Sequence, residues 1–154
     1  MTSKTLSKSE IKEINDKTNK YYGKDFFHKK DFVQLFTEPI KHIKSNKKTY
    51  FFIKDDVPIP ILKILLKDPF LKKVTVDMGA VKFICNGADV MRPGIVQIDD
   101  EIQKNDIIMV VDEKNKTPLV VGRALHSTNE MQDIKEGKAI ENLHFISDQI
   151  WQLD

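Results

Sequence analysis

The hydrophobic positions at the start of the chain recur with the spacing of an amphipathic helix. The apolar side chains on one face of this helix are Leu6, Ile11, Ile14 and Tyr21. Ser7-Lys8-Ser9-Glu10 fits a capping box, in which the serine hydroxyl accepts from a first-turn amide and the glutamate reaches back. Gly23 stands where a helix should stop. The pattern therefore predicts a first helix that ends near Gly23.

Two runs of β-branched and aromatic residues follow, and each predicts a strand. They cover residues 31–37 and 49–53. Pro58 and Pro60 suit the first turn of a helix, where a missing N–H costs little. The apolar residues behind them predict a helix over residues 61–66, which stops before the next proline.

The second half of the chain predicts short strands around two short helices. Val74-Thr75-Val76 is a strand, Asp77 can cap the helix that follows, and Gly87 can end that helix. Ser127-Thr128-Asn129-Glu130 is a second capping box, and it opens a helix that Gly137 closes.

The remaining apolar runs of the second half predict four more strands. Residues 107–112 and 119–125 are joined by a polar segment, which indicates a hairpin. Residues 139–145 and 149–151 supply two last strands, with Trp151 in the core. Many short strands with two short helices are typical of a small mixed β-barrel.

Together these elements predict an α+β protein with two modules. A small N-terminal α/β module occupies residues 1–70, and the mixed β-barrel with two short helices occupies residues 71–154. The two segments also differ in net charge. The first segment holds 15 Lys and 9 acidic residues (+6), and the second holds 8 Lys, 2 Arg and 14 acidic residues (−4). This asymmetry indicates modules with different electrostatic roles.

The composition narrows the class of protein. An apolar fraction of 40 % and a charged fraction of 31 % are typical of a soluble globular protein. The longest nearly apolar stretch, residues 58–66, is far shorter than the ~20 residues that span a bilayer. The N-terminus lacks the apolar core of a signal peptide, so no membrane partner is expected. Cys85 is the single cysteine, which favours a reducing, cytoplasmic location.

No arrangement of residues predicts catalysis. The four histidines are isolated, and the chain has no Cys-x-x-Cys, Gly-x-Ser-x-Gly or Walker-type motif. Asp99-Asp100-Glu101 is more typical of a solvated loop than of an acid–base pair. We therefore expect a protein that is not an enzyme and needs neither a cofactor nor a metal.

Residues 76–95 are the most informative segment. They place Gly79, Gly87 and Gly94 around one apolar octet, in the order strand, short helix, tight turn and second strand. This order resembles the segment with which RNA-binding PUA domains begin, a module named after pseudouridine synthases and archaeosine transglycosylases. The resemblance extends over residues 74–154.

The whole chain resembles the malignant T-cell-amplified protein family and its archaeal relatives. Residues 1–57 match only in general character, as the small α/β "pre-PUA" module of that family. The motifs that carry the resemblance follow one another with matching spacing and cover residues 60–70, 76–83, 86–95 and 139–151.

The resemblance implies a noncatalytic RNA-binding protein that acts in translation. Such proteins act on the small ribosomal subunit in initiation, reinitiation or recycling, with tRNA or ribosomal RNA as the expected ligand. They usually work beside a partner with a SUI-type domain, which this chain lacks and would need in trans unless it works alone. Two alternatives stay open: a protein-interaction adaptor, and an accessory RNA-binding subunit of an RNA-modification enzyme.

The resemblance also implies that the first PUA helix and the strand after it form the RNA groove. The glycines of this segment could be needed for backbone conformations that other residues disfavour. They could also let an RNA strand approach the backbone closely, and the two roles are compatible. The two arginines could hold phosphate through their planar forks or could form surface salt bridges. The predicted RNA-binding residues are Gly79, Lys82, Gly87, Ala88, Met91, Arg92, Pro93 and Arg123.

Two basic patches in the first module are a second candidate RNA contact. The alternative is a solvated surface. Phe26 and Phe27 could stack on bases, although aromatic residues of a small domain are more often core. The patches consist of His28, Lys29, Lys30, Lys41, Lys44, Lys47 and Lys48.

Overall fold

The structure is a computed structural model that describes residues 2–153. It contains two compact units. The first extends to Ile61 and also includes Leu153, and the second is Leu62–Gln152. The division predicted from the sequence, 1–70 and 71–154, lies further along the chain. Whether those two segments are domains that fold by themselves stays a prediction.

The first unit consists of one helix and a five-stranded antiparallel sheet with the strands in chain order. Its core is formed by side chains such as Ile11, Phe27, Val33, Ile43 and Phe51. The elements are β1 (Ser3–Thr5), α1 (Lys8–Tyr22), β2 (Val33–Phe36), β3 (His42–Ser45), β4 (Lys48–Lys54) and β5 (Val57–Pro60).

The predicted caps of α1 are confirmed. The Glu10 N–H donates to Ser7 Oγ at 3.2 Å, and the Ser7 N–H donates to Glu10 Oε1 at 3.0 Å. Gly23 ends the helix in the left-handed region, with φ of 75°. Phe27 is buried in the core, and the ring of Phe26 packs edge-on against Phe51.

The placement of Pro58 and Pro60 in a helix is wrong. Both lie in β5, opposite Ile53 and Phe51 of β4, and the helix begins later, at Leu62. β5 is an edge strand of its sheet. An edge strand tolerates proline because its outer side needs no ladder N–H.

The second unit is built on a six-stranded mixed sheet in the order β7-β11-β10-β9-β6-β8. Its one parallel pair joins β6 to β9. The α+β class and the mixed β-barrel are confirmed. The elements are α2 (Leu62–Lys67), β6 (Lys73–Val76), α3 (Met78–Ile84), β7 (Val90–Met91), a 3-10 turn (Arg92–Gly94), β8 (Ile95–Ile98), β9 (Ile107–Asp112), β10 (Pro118–Ala124), α4 (Thr128–Asp133) and β11 (Lys138–Phe145).

The second capping box is confirmed at the start of α4, but Gly137 does not close that helix. The helix ends at Asp133, and Ile134 leaves it in an extended conformation. Gly137 follows with φ of 93° in the connection to β11. It therefore shapes the loop after the helix rather than the helix end.

The last predicted strand, residues 149–151, is a turn. The Asp148 carboxylate accepts hydrogen bonds from the N–H groups of Phe145 and Trp151, at 2.9 and 2.8 Å, and so bends the chain. Trp151 is half-buried rather than core, and the Lys63 ammonium lies 5.0 Å from its ring centroid.

Candidate functional site

The strand–helix–strand segment forms one wall of an open groove in the second unit. Asp77 caps α3, since its carboxylate accepts from the Ala80 N–H at 2.9 Å. The helix ends at Ile84, and Gly87 follows with φ of 97°. A glycine there lets the chain turn back toward β7 without the strain that a side chain would add.

The groove encloses about 600 Å³ and its lining is largely apolar. Phe83, on α3, exposes 60 % of its surface beside it, and Met91 on β7 exposes 46 %. Large apolar side chains that stay exposed next to one another mark binding surfaces. The geometry therefore favours a ligand with a flat or apolar face.

The groove contains half of the residues that the sequence predicted for the site. Four of them line it: Gly79, Ala88, Met91 and Pro93. Lys82 lies on α3 and is exposed, with its ammonium 5.8 Å from the centroid of the Phe83 ring. Gly87 is exposed but does not line the groove, and an added Cβ there would meet the Phe145 ring at 3.3 Å.

The side chain of Arg92 forms hydrogen bonds with main-chain carbonyls of the protein. Its Nε donates to the Met131 carbonyl, and Nη1 donates to the Ile95 carbonyl at 3.2 Å. The Arg92 N–H also donates to the Gly137 carbonyl at 2.8 Å. The side chain thereby ties the 3-10 turn to the end of α4 and to β8.

Arg123 lies outside the groove lining. Its Nε donates to Glu141 Oε1 at 3.0 Å across the β10–β11 pair, which makes a salt bridge. A contact of Arg123 with phosphate stays a prediction.

Three residues that the sequence did not single out support the groove from β11 and the loop before β7. Lys138 forms an ion pair with Asp89 at 3.1 Å, and both line the groove. The Asn142 amide donates to the carbonyls of Ile84 and Ala88, at 3.0 and 2.9 Å. Asn142 therefore fixes the end of α3 and the loop that follows.

The predicted basic patches lie in the first unit. His28, Lys29 and Lys30 are exposed in the loop before β2, and Lys47 and Lys48 are exposed at the β3–β4 turn. Lys41 is also exposed, whereas Lys44 is half-buried, with its ammonium 5.5 Å from the Phe36 ring centroid.

Three further properties of the described residues bear on function: metal binding, thiol reactivity and membrane insertion. Between residues 2 and 153, no group of three or more His, Cys, Asp or Glu side chains could hold a metal ion. Burial, together with the charge of Asp112, raises the pKa of the Cys85 thiol, which disfavours the reactive thiolate. No helix within this range is long and apolar enough to cross a membrane.

The groove lies within a recognised domain. Residues 72–146 match the model of the PUA domain. A hypothetical protein of the archaeon Pyrococcus horikoshii has a similar crystal structure, with a TM-score of 0.84 and 35 % identity over 98 % of each chain.

Two curated relatives identify the family more closely. Malignant T-cell-amplified sequence 1-A of Xenopus laevis is 31 % identical, over 81 % of this chain and 73 % of its own. Translation machinery-associated protein 20 of Saccharomyces cerevisiae is 30 % identical, over 80 % of this chain and 73 % of its own. The chain belongs to the malignant T-cell-amplified protein family.

Proposed function

We propose that this protein binds RNA through the groove beside α3, without catalysing a reaction, and that it acts in translation. The observation that carries the proposal is the groove: an open apolar surface with an exposed aromatic ring and an exposed lysine side by side on one helix. A PUA domain around this groove agrees with that reading.

An unpaired nucleotide matches both features of the groove. Its base presents a flat face that can stack on Phe83, and stacking on an aromatic side chain contributes about 1–3 kcal/mol per base. Its phosphate attracts the ammonium of Lys82. Gly79 and Ala88 add little bulk to the lining, so a ribose–phosphate chain can approach the backbone closely.

The role in translation rests on the relatives. One of them is named as associated with the translation machinery, and the shared family supports the same role for this chain. We extend the proposal to tRNA or ribosomal RNA on the small ribosomal subunit, in initiation, reinitiation or recycling, in the cytoplasm. A SUI-type protein would act as partner in trans.

Copurification tests the translation role. Tagged protein is isolated from cells after mild cross-linking, the ribosomal subunits are separated by sedimentation, and the bound RNA is sequenced. The protein is expected to sediment with small subunits and to enrich tRNA or small-subunit RNA. A protein that sediments free of subunits, with no enrichment of either RNA, overturns the role.

A protein-interaction adaptor is the second candidate, because an apolar groove with an exposed Phe83 also fits an apolar segment of a protein. Salt distinguishes the two. RNA binding weakens steeply as salt rises, since phosphate contacts release counterions. An apolar protein interface keeps its affinity over the same range.

A further inference from the structure

The first unit also exposes a phenylalanine, far from the groove in sequence. Phe32 directly precedes β2 and exposes 53 % of its surface. Its neighbours in sequence, Phe26 and Phe27, are packed in or against the core, as the aromatic residues of a small domain usually are. Phe32 is therefore the ring of this segment that solvent and ligands can reach.

The fold places one end of the second basic patch, Lys47 and Lys48, beside Phe32. β2 and β3 are antiparallel, and Val33 lies opposite Ser45. The Ser45 hydroxyl donates to the Phe32 carbonyl at 3.0 Å. Ser45 also pairs with Lys48 across the two-residue turn Asn46-Lys47, so this basic turn lies beside the aromatic residue.

The loop on the other side of Phe32 is held by its own hydrogen bonds. The Asp31 carboxylate accepts from the His28 N–H at 2.8 Å, and the Asp31 N–H donates to the His28 carbonyl at 2.9 Å. Lys29 and Lys30 lie inside this turn and are exposed. In the part of the chain that the structure describes, neither lysine has a salt-bridge partner, so both keep their charge available.

Lys47 occupies a costly backbone position. Asn46 and Lys47 both have positive φ, 52° and 65°, as a tight hairpin turn of this type requires. Asparagine followed by glycine is the favoured pair there, whereas a lysine in the left-handed region costs about 1–2 kcal/mol. A lysine at a position that favours glycine is consistent with a use for its charge.

We propose that Phe32, Lys29, Lys30, Lys47 and Lys48, here named the Phe32 surface, bind an unpaired segment of RNA. The ring stacks on a base, and the lysines neutralise the phosphates on either side of it. An unpaired segment is required because the bases of a duplex are stacked on one another and hidden from a side chain. This contact is additional to the groove of the second unit.

The test compares the full-length protein with single variants, using a short labelled single-stranded RNA and a duplex of the same length. Phe32→Leu is expected to weaken single-strand binding by roughly tenfold and to leave duplex binding unchanged. Phe32→Tyr keeps the ring and the affinity. Tyr21→Leu is the matched control, since Tyr21 is also exposed, at 45 %, but lies at the end of α1.

The Lys47→Gly variant distinguishes a loss of RNA binding from a loss of protein stability. The variant removes a charge and relieves the turn, so its melting temperature is expected to rise while the salt dependence of RNA binding falls by about one unit of slope. A loss of affinity in a more stable protein cannot come from unfolding.

Three outcomes overturn the inference: single-strand binding unchanged by Phe32→Leu, an equal loss with Tyr21→Leu, or an equal loss on single strand and duplex. Phe83→Leu, measured in parallel, reports on the groove. If Phe83→Leu weakens binding and Phe32→Leu does not, the proposed function stands and the Phe32 surface fails. The reverse result leaves the Phe32 surface and rejects the groove. If both variants bind like the parent, neither contact exists.

Discussion

Gly87 combines a positive φ with close packing against the Phe145 ring. We expect Gly87→Val to lower the melting temperature and to weaken RNA binding, because φ of 97° disfavours a β-branched residue and its Cβ would press on Phe145. The cost in free energy of unfolding is about 2 kcal/mol or more.

Gly23→Val is the matched control for that variant. Gly23 also has positive φ, 75°, but nothing lies within 4 Å of its added Cβ, and it ends α1 in the first unit. It is expected to lose stability and keep binding at the groove. Thermal denaturation and RNA titration measure both effects. A Gly87→Val protein that melts and binds like the parent contradicts both assignments.

Phe83 and Lys82 are adjacent but contribute different forces. Phe83→Ala is expected to weaken single-stranded RNA binding about tenfold with little change in melting temperature, since the residue is 60 % exposed. Lys82→Gln is expected to lower the salt slope by about one unit, which Phe83→Ala leaves unchanged. Fluorescence anisotropy at several salt concentrations measures both quantities.

The control for charge is Lys12→Gln, because Lys12 is exposed on α1 and already paired with Asp16. If Lys82→Gln and Lys12→Gln change the salt slope equally, the effect is one of overall charge and not of the groove.

Arg92 is expected to position the groove rather than to bind phosphate. Arg92→Lys keeps the charge but cannot reach two carbonyls with one planar fork. If Arg92 acts by holding the 3-10 turn in place, Arg92→Lys and Arg92→Ala both lower the melting temperature. Both variants then also weaken RNA binding, because the turn is displaced. An Arg92→Ala protein with parental stability and a lower salt slope would restore the phosphate contact predicted from the sequence.

At the scale of elements, features with local signals were predictable. The two capping boxes and the β9–β10 hairpin are encoded within a few residues, and each was correctly predicted. Pro58 and Pro60 were misplaced because a proline suits a helix start and an edge strand equally. Only the order of strands in the sheet, which depends on distant residues, decides between the two.

The turn after β11 depends on one carboxylate. Burial alone would raise the pKa of Asp148, but hydrogen bonds from His144 and from the N–H groups of Phe145 and Trp151 outweigh burial. The pKa of Asp148 therefore lies below its ordinary 3.8. A lowered pKa means that the ionised group stabilises the fold above about pH 4, and that this contribution is lost as pH falls through the folded-state value.

We therefore expect Asp148→Asn to reduce the free energy of unfolding at neutral pH by about 1–3 kcal/mol. The variant should also lose less stability than the parent when the pH is lowered below about 4. Urea denaturation over a pH series measures both, with Glu136→Gln as a control at an exposed carboxyl. Parallel pH curves for the parent and Asp148→Asn would contradict this role.

At the scale of the whole molecule, the division into modules can be tested with two fragments. Residues 62–154 are expected to fold cooperatively and residues 71–154 to be less stable, because the shorter fragment lacks α2. That helix buries Leu62 and Leu65, and the Leu62 N–H donates to Nε2 of the buried His144 at 3.0 Å. Circular dichroism melts compare the fragments, and equal melts would favour the boundary at residue 71.

The segment that lines the groove was predictable from the sequence, but the exposure and the partners of its side chains were not. The glycine spacing located the segment around α3, because backbone demands are visible in sequence. The spacing could not show that Phe83 faces solvent, since a phenylalanine in a short apolar helix looks like core. Nor could it show the partner of Arg92, a carbonyl 39 residues away in sequence. Side-chain partners set by tertiary structure are hidden from local patterns.

Photo-cross-linking shows directly whether RNA lies in the groove beside α3. Full-length protein is bound to small ribosomal subunits and to tRNA that carry photoreactive uridines, and the cross-linked peptides are mapped by mass spectrometry. We expect cross-links within residues 77–94, centred on Phe83, and we expect Phe83→Ala and Lys82→Gln to reduce them. Cross-links confined to other parts of the chain, or none above a protein of similar size and charge, would contradict it.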